Sequence, residues 1–154
     1  MRVYLDNAAT SWPKPDCVYG AIDRYQREVG AAAGRGSYRE AAEAQRTVDS
    51  ARSGCAALMG VAEASRVVFA ANGTDALNLA IHGILQREDH VVATVCEHNS
   101  VLRPLAHLRE LLGVETSFVP CDASGVVDPD DVGRAIRSDT RLVVASHASN
   151  VTGA

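Results

Sequence analysis

The chain has 154 residues, 47% of them hydrophobic and 22% charged, which is ordinary for a soluble globular protein able to bury a core. Its formal net charge of −4 offers no basic surface, so a nucleic-acid partner is not expected. No apolar run reaches membrane-spanning length and no signal peptide opens the sequence, so we expect no membrane partner and a cytoplasmic location. The four cysteines are irregularly spaced, which argues against a disulfide framework and a structural zinc site.

The first half of the chain is predicted to hold a short strand and two helices. The strand covers 3–5 and leads into a loop of small polar residues. After a proline-rich segment, Asp16 begins a helix that ends near Val29. A segment rich in glycine and alanine separates this helix from another over 40–59, which Gly60 caps.

The second half is predicted to alternate strands and helices. Its strands are short and apolar with β-branched residues, and they cover 65–69, 90–95, 114–119 and 141–146. Segments with apolar residues at helical spacing lie between them. This order predicts an α/β domain with a largely parallel sheet.

Two of the helices between these strands have clear ends. The helix after the second strand begins at Asn99 or Ser100 and ends at Gly113. The last helix begins at Asp128, which is followed by proline at the first helical position.

Three polar segments follow strands of this sheet, over 72–74, 97–99 and 149–150. Because sites in parallel sheets lie beyond the carboxyl ends of the strands, we expect these segments to converge. The first segment also opens a helix, which aims backbone N–H groups and the positive end of the helix dipole at one point. Such a point binds anions, and phosphate is the usual one.

Each of these segments has a plainer interpretation when it is taken alone. The segment 72–74 could be a turn with a helix cap, and it matches neither G-x-G-x-x-G nor a Walker loop. His98 could be a structural histidine, and Asn150 could be a turn residue. Cys96 and His98 lack a second cluster with the further ligands that a metal needs, so no metal site is predicted.

Four segments taken together are more specific. They occur in the order 4–10 (YLDNAAT), 69–78 (FAANGTDALN), 97–101 (EHNSV) and 149–153 (SNVTG). This set resembles the class V aminotransferase family of fold-type I pyridoxal 5′-phosphate (PLP) enzymes, in its cysteine desulfurase and selenocysteine lyase branch. The resemblance covers essentially the whole chain.

The resemblance implies a fold and a domain organisation. The fold is the three-layer α/β large domain of fold-type I enzymes, with a largely parallel sheet, here truncated. Residues 1–15 would form an N-terminal arm and substrate-side loop, and 16–154 would form the N-terminal part of the PLP-binding large domain. The small C-terminal domain would be absent.

The resemblance also implies roles for individual residues around PLP. Gly73 and Thr74 would bind its phosphate through backbone N–H groups and the threonine hydroxyl. His98 would stack on the pyridine ring and act as a catalytic residue that moves protons. Asn150 would hydrogen-bond the phenolic oxygen. PLP would serve as the electron sink of the reaction, while the protein orients it and tunes its charge.

Further residues are implied to lie near the substrate and the second subunit. Asn7, Ala8 and Ala9 would line the substrate side of the site. Arg35 would lie in a segment that approaches the site of the partner subunit, since the full-length protein is expected to be a homodimer.

The sequence also departs from the family pattern. Asn-Gly-Thr-Asp over 72–75 replaces the commoner Gly-Ala-Thr-Glu, and Tyr38 stands where many relatives have histidine. The Schiff-base lysine, the aspartate for the pyridine nitrogen, the mobile-loop cysteine and the arginine for the substrate carboxylate are expected to be missing from this sequence. Lys14, the only lysine, does not match the family lysine. We therefore expect an N-terminal fragment that does not complete catalysis alone.

The implied activity is that of a PLP-dependent cysteine desulfurase. Such an enzyme converts L-cysteine into L-alanine through a nucleophilic cysteine and passes the sulfur to an acceptor, which could be a protein. A class V transaminase or a selenocysteine lyase is an alternative within the family. A non-catalytic fragment or one half of a split protein is an alternative of another class, and an unrelated α/β domain with coincidental turns also stays open.

Overall fold

The computed structural model describes residues 3–7, 9–149, 151 and 153 of the chain. The chain forms two compact units, Met1–Val68 and Phe69–Ala154. Within the described ranges, every helix is too short or too polar to cross a bilayer. The division expected after residue 15, from the family resemblance, stays a prediction.

The unit Met1–Val68 is helical. Helix α1 covers Asp16–Glu28, helix α2 covers Arg39–Leu58, and a 3-10 turn covers Ala64–Arg66. Just after α2, Gly60 has a φ of 68°, a left-handed conformation that glycine adopts without steric cost. The two helices predicted here are confirmed, with their ends shifted by no more than about one residue.

The strand predicted over 3–5 is wrong. In the described residues of this unit no strand lies beside it, and a strand needs a neighbour to take its backbone hydrogen bonds. Tyr4 instead packs edge-on against Trp12, with ring centroids 5.5 Å apart. The hydroxyl of Tyr4 also donates to the carbonyl of Thr10, at 2.9 Å.

The strand predicted over 65–69 is wrong as well. This segment starts inside the 3-10 turn and continues as irregular chain. The carbonyl of Val67 accepts a hydrogen bond from the guanidinium of Arg52. Val68 and Phe69 are 65% and 49% exposed, so they are not buried as a central strand would be. An apolar, β-branched run therefore predicts a strand only where a neighbouring strand is in place.

The unit Phe69–Ala154 is the α/β part of the chain. Its elements, in chain order, are α3 (Gly73–Ile84), β1 (His90–Thr94), α4 (Asn99–Leu112), β2 (Glu115–Val119), α5 (Pro129–Ala135) and β3 (Thr140–Val144). The three strands are parallel and lie in the order β2–β1–β3. The predicted α/β class with a parallel sheet is confirmed, with three of the four expected strands in the sheet.

Strand β1 is the centre of the core, because all of its residues are buried. One apolar cluster joins β1 to α3, α4 and the residue before β2: Ile81, Leu85, Val91, Ala93, Val101, Leu105, Leu108 and Val114. The outer strands are more exposed, since Phe118 of β2 is 51% exposed and Val143 of β3 is 43% exposed. A parallel strand with neighbours and helices around it is buried in this way.

The predicted ends of α4 and α5 are confirmed. Gly113 ends α4 in a left-handed conformation with a φ of 71°. At the start of α5, the side chain of Asp128 accepts the N–H of Asp130 at 2.8 Å, and Pro129 is the first helical residue.

His90, the first residue of β1, joins this strand to both of its neighbours. The residue is 1% exposed, and its Nδ1 lies 2.7 Å from Oγ1 of Thr140 while its Nε2 lies 2.8 Å from Oγ of Ser117. Burial is the main cause that lowers the pKa of His90, and the positive charge of Arg137 lowers it further. The folded unit therefore favours the neutral ring.

We expect the free energy of unfolding to fall as the pH is lowered through about 6.5, the ordinary histidine pKa. Below that pH the unfolded chain binds a proton at His90 that the folded unit takes up only at lower pH, so protonation favours unfolding. Urea unfolding followed by circular dichroism, from about pH 8 to about pH 5, measures this slope.

A His90→Leu variant provides the matched comparison. It removes the titrating ring and leaves two hydroxyls without this partner, at an expected cost of about 1–3 kcal/mol at neutral pH. Its stability should change less between the two ends of the pH range. An unaltered pH slope in this variant would contradict the role of His90.

Candidate functional site

Helix α3 begins with an N-cap hydrogen bond and with two N–H groups that have no partner inside the helix. The side chain of Asn72 accepts the N–H of Asp75 at 2.8 Å, and the carbonyl of Asn72 accepts the N–H of Ala76 at 3.1 Å. The first N–H groups of a helix have no partner inside it, so those of Gly73 and Thr74 are left for an outside acceptor. A Cβ added at Gly73 would meet no heavy atom within 4 Å, so there is room for an outside group to approach.

His98 has a structural task as the N-cap of α4. Its Nδ1 accepts the backbone N–H of Ser100 at 3.1 Å and lies 2.9 Å from the hydroxyl oxygen of the same residue. Since Nδ1 must present a lone pair to that N–H, the neutral ring carries its proton on Nε2. The residue is exposed, so the cap orients a ring that remains accessible.

Glu97 joins the carboxyl ends of two strands. Its carboxylate accepts the hydroxyl of Thr94, the last residue of β1, at 2.7 Å. It also accepts the backbone N–H and the hydroxyl of Ser146, just beyond β3, at 2.7 and 3.1 Å. Glu97 is only 9% exposed, and these three donors satisfy a buried charge.

Sequence reasoning placed Glu97 in a motif but missed its role, and it missed Ser146 altogether. A signal was available in the spacing of Thr94 and Glu97. A carboxylate shortly after a buried strand needs several donors, and the hydroxyl that ends the strand is the nearest one.

Two cavities meet at His98. One, of about 430 Å³, is lined by Thr74 and His98 together with Asn78, Asn99 and Arg103, among others. The other, of about 340 Å³, is lined by His98, Glu97, Ser146 and Ser149, among others. The structure therefore brings two of the predicted cofactor residues, Thr74 and His98, to one cavity.

Asn78 links α3 to α4 beside the first cavity. Its amide Nδ2 donates to the carbonyl of Thr74 at 2.8 Å and lies 3.5 Å from the carbonyl of Ser100. In a regular helix the carbonyl of Ser100 would accept from residue 104, but Pro104 has no N–H. Asn78 therefore lies against a carbonyl that the helix itself cannot satisfy.

The remaining predicted site residues are placed as follows. Asn150 and Ala8 lie outside the described residues. Asn7, Ala9 and Arg35 belong to the unit Met1–Val68, where the side chain of Asn7 accepts the N–H of Trp12 at 3.2 Å. Their roles near the substrate and the second subunit stay predictions. In the described ranges, no three His, Cys, Asp or Glu side chains form a group that could hold a metal ion.

An α/β unit with an open helix N-terminus and an oriented, exposed histidine near the carboxyl ends of its strands has the architecture of a ligand-binding domain of a parallel-sheet protein. The Aminotransferase class-V family model matches residues 3–154, and the chain belongs to that family. This confirms the family resemblance found in the sequence.

Several relatives that are similar to this chain are cysteine desulfurases. Cysteine desulfurase IscS of Dictyoglomus turgidum is 35% identical over 158 residues, which cover 99% of this chain and 39% of that protein. The apo structure of a cysteine desulfurase from Thermococcus onnurineus NA1 has a TM-score of 0.84 and 33% identity, over 96% of this chain and 37% of its own.

A second solved structure has the same fold. It is described as SspA in complex with cysteine, and it has a TM-score of 0.81 and 28% identity over 96% of this chain and 42% of its own. The chain thus spans about two fifths of the length of the relatives that it matches.

Removal of the Glu97 carboxylate should destabilise the α/β unit. We expect Glu97→Ala to lower the free energy of unfolding by about 2–3 kcal/mol, because three donors lose a charged acceptor. Glu97→Gln keeps one acceptor oxygen and should lose less. Urea unfolding measures both variants.

Glu110→Ala is the control for this series, since Glu110 is exposed on α4. It should change the stability by no more than about 0.5 kcal/mol. Equal effects of the substitutions at 97 and 110 would argue against the bridge between β1 and β3.

Proposed function

We propose that this chain is part of a PLP-dependent cysteine desulfurase and provides the phosphate-binding and ring-stacking side of the cofactor site. The observation that carries the proposal is that Thr74, at the open end of α3, and the exposed ring of His98 line one cavity. The family match and the names of the relatives support it.

The start of α3 has the donors that a phosphate requires. The N–H groups of Gly73 and Thr74, the threonine hydroxyl and the positive end of the helix dipole would all act on one anion. The carboxylate of Asp75 lies at the same helix end, where it accepts the side-chain amide of Asn72 at 3.2 Å. The residues present therefore fit the phosphate of PLP.

His98 fits the aromatic part of the cofactor. The cap that it makes with Ser100 fixes the ring without using Nε2, so a flat face and one N–H remain accessible. We infer that the ring stacks on the pyridine and that Nε2 holds and moves a proton. When PLP is bound, it supplies the electron sink for bond cleavage at an amino-acid substrate.

Further assignments follow the family and belong to the proposal. Asn150 would hydrogen-bond the phenolic oxygen of PLP, and residues 7–9 would line the substrate side. The whole protein would be a cytoplasmic homodimer, with Arg35 near the partner subunit, and would pass sulfur to an acceptor. A cysteine-like substrate agrees with the neighbouring structure described as holding cysteine.

We expect PLP to bind this chain without a covalent link to the family lysine. Lys14 is the only lysine in the sequence, and its ammonium group donates to Thr10 Oγ1 at 3.3 Å and to the carbonyl of Ser11 at 3.0 Å. Its own loop therefore holds it. The chain alone should not turn over cysteine.

Thr74→Val should weaken PLP binding by about tenfold, because one hydrogen bond to a charged phosphate is lost. Equilibrium dialysis in a Lys14→Arg background measures non-covalent binding only. Thr74→Ser should restore most of the affinity, and pyridoxal, which lacks the phosphate, should bind weakly to every variant.

The control for this series is Thr47→Val, which removes a hydroxyl that donates to the carbonyl of Glu43 within α2. It should leave the affinity unchanged. The phosphate assignment fails if pyridoxal binds as tightly as PLP, or if Thr74→Val and Thr47→Val behave alike.

Variants of His98 separate the contribution of its N-cap hydrogen bond to stability from the contribution of its aromatic ring to PLP binding. His98→Asn keeps a good N-cap residue, so we expect near-normal stability, but it loses the aromatic face and should weaken PLP binding several-fold, or about 0.5–1.5 kcal/mol. His98→Ala should lose both the N-cap bond and the aromatic face, and its free energy of unfolding should fall by about 1 kcal/mol. Dialysis and urea unfolding measure the two effects, and normal PLP affinity in His98→Asn would contradict stacking.

A further inference from the structure

Two cysteines lie side by side at the carboxyl end of the sheet. Cys96 follows β1 and Cys121 follows β2, and the sequence gives no sign that they meet. The proposed cofactor site uses neither thiol, although Cys96 is separated from His98 by one residue only.

Both residues lie just beyond the last paired residues of two neighbouring strands. Thr94 pairs with Val119 in the parallel ladder, and the N–H of Val95 continues it by donating to the carbonyl of Val119 at 3.0 Å. Cys96 and Cys121 each lie two residues beyond that pair. Neighbouring strands are about 4.8 Å apart, so the two segments leave the sheet at a separation within the range of about 4.4–6.8 Å between Cα atoms that a disulfide spans.

The two thiols also influence each other. The neighbouring thiol of Cys121, together with partial burial, raises the pKa of Cys96. Sγ of Cys96 also lies 4.0 Å from the carbonyl of Gly125. Both cysteines are half-buried, and Cys96 lines a cavity of about 480 Å³ that a small molecule could enter.

The segments that carry the thiols are both held in place. Glu97, next to Cys96, makes the hydrogen bonds to β1 and to the chain after β3. Asp122, next to Cys121, accepts the backbone N–H groups of Ser124 and Val126 at 2.8 and 3.0 Å. The backbone next to each thiol is therefore held by hydrogen bonds of its neighbouring residue.

We propose that Cys96 and Cys121 are a dithiol modification site, which a low-molecular-weight disulfide oxidises to an intramolecular disulfide. One thiol loses its proton and attacks a sulfur of the small disulfide, which breaks and releases one small thiol. The second thiol loses its proton and attacks the cysteine sulfur of the mixed disulfide, which releases the other small thiol. The two cysteines lose two electrons, and the small disulfide gains them.

The bond links the segment before His98 to the loop that leads into α5. It restricts the positions open to that segment, and we expect it to weaken PLP binding. This consequence for PLP rests on the proposed function, whereas formation of the disulfide does not.

A chain with Cys17→Ser and Cys55→Ser isolates the pair. The reduced protein is incubated with glutathione disulfide, alkylated, and digested without reductant for mass spectrometry. We expect a peptide that joins Cys96 to Cys121, in a monomer whose mass is lower by about 2 Da because two protons are lost. If circular dichroism shows that the double variant does not fold, the disulfide is mapped in the wild-type chain by the same procedure.

The matched control adds Cys96→Ser. Cys121 should then keep glutathione as a stable mixed disulfide, because no second thiol displaces it. The proposal is overturned by stable glutathione on both cysteines of the double variant, by disulfides between chains, or by no reaction under conditions where the urea-unfolded chain reacts. PLP dialysis against the oxidised and reduced forms tests the link to His98 separately, and equal affinities would overturn that link alone.

Discussion

A single buried carboxylate accepts hydrogen bonds from the last residue of β1 and from the chain just beyond β3. Parallel strands end at one edge of a sheet, but their loops diverge from there unless something holds them together. Glu97 does this, and the next residue along the chain is His98, whose ring begins α4. Because Glu97 is hydrogen-bonded at the ends of the strands and His98 is the next residue, the strands determine where the His98 ring lies.

At each end of the central strand β1, a buried polar side chain is hydrogen-bonded to neighbouring segments. At the carboxyl end a carboxylate takes three donors, and at the amino end the imidazole of His90 lies between hydroxyls of β2 and β3. Between them the strand is apolar, over Val91, Val92 and Ala93. A polar side chain that is fully partnered inside a core gives a specific alignment that aliphatic packing alone does not give. The short parallel sheet is thus aligned at both ends.

Most of the α/β unit could be predicted from the sequence because its signals are local. Apolar periodicity, Gly113 after α4 and the Asp-Pro start of α5 each depend on a few neighbouring residues, and each is confirmed. The prediction of a strand over 65–69 is wrong because strand formation depends on a partner strand elsewhere in the chain. The family motifs correctly identified the family. Thr74 and His98, which they assign to the cofactor, line one cavity, and their roles there stay predictions.

Two of the contacts that sequence reasoning missed lie between distant parts of the chain. The contacts of Ser146 with Glu97 and of Cys96 with Cys121 join segments that follow different strands, so neither has a local signature. The cap made by His98 was also missed, because histidine is not among the preferred N-cap residues. Register is what brings such residues together, and it is set by the whole sheet rather than by any short segment.

Pro104 also has a consequence for how the two helices sit against each other. A proline within a helix leaves one carbonyl without its usual donor, and here that carbonyl belongs to Ser100 and lies near the amide of Asn78. A shift of α4 along α3 by one turn would separate them and leave a polar group unsatisfied. The proline thus favours one axial alignment of the helices, and it does so at the level of the helix ends where Thr74 and His98 face their common cavity.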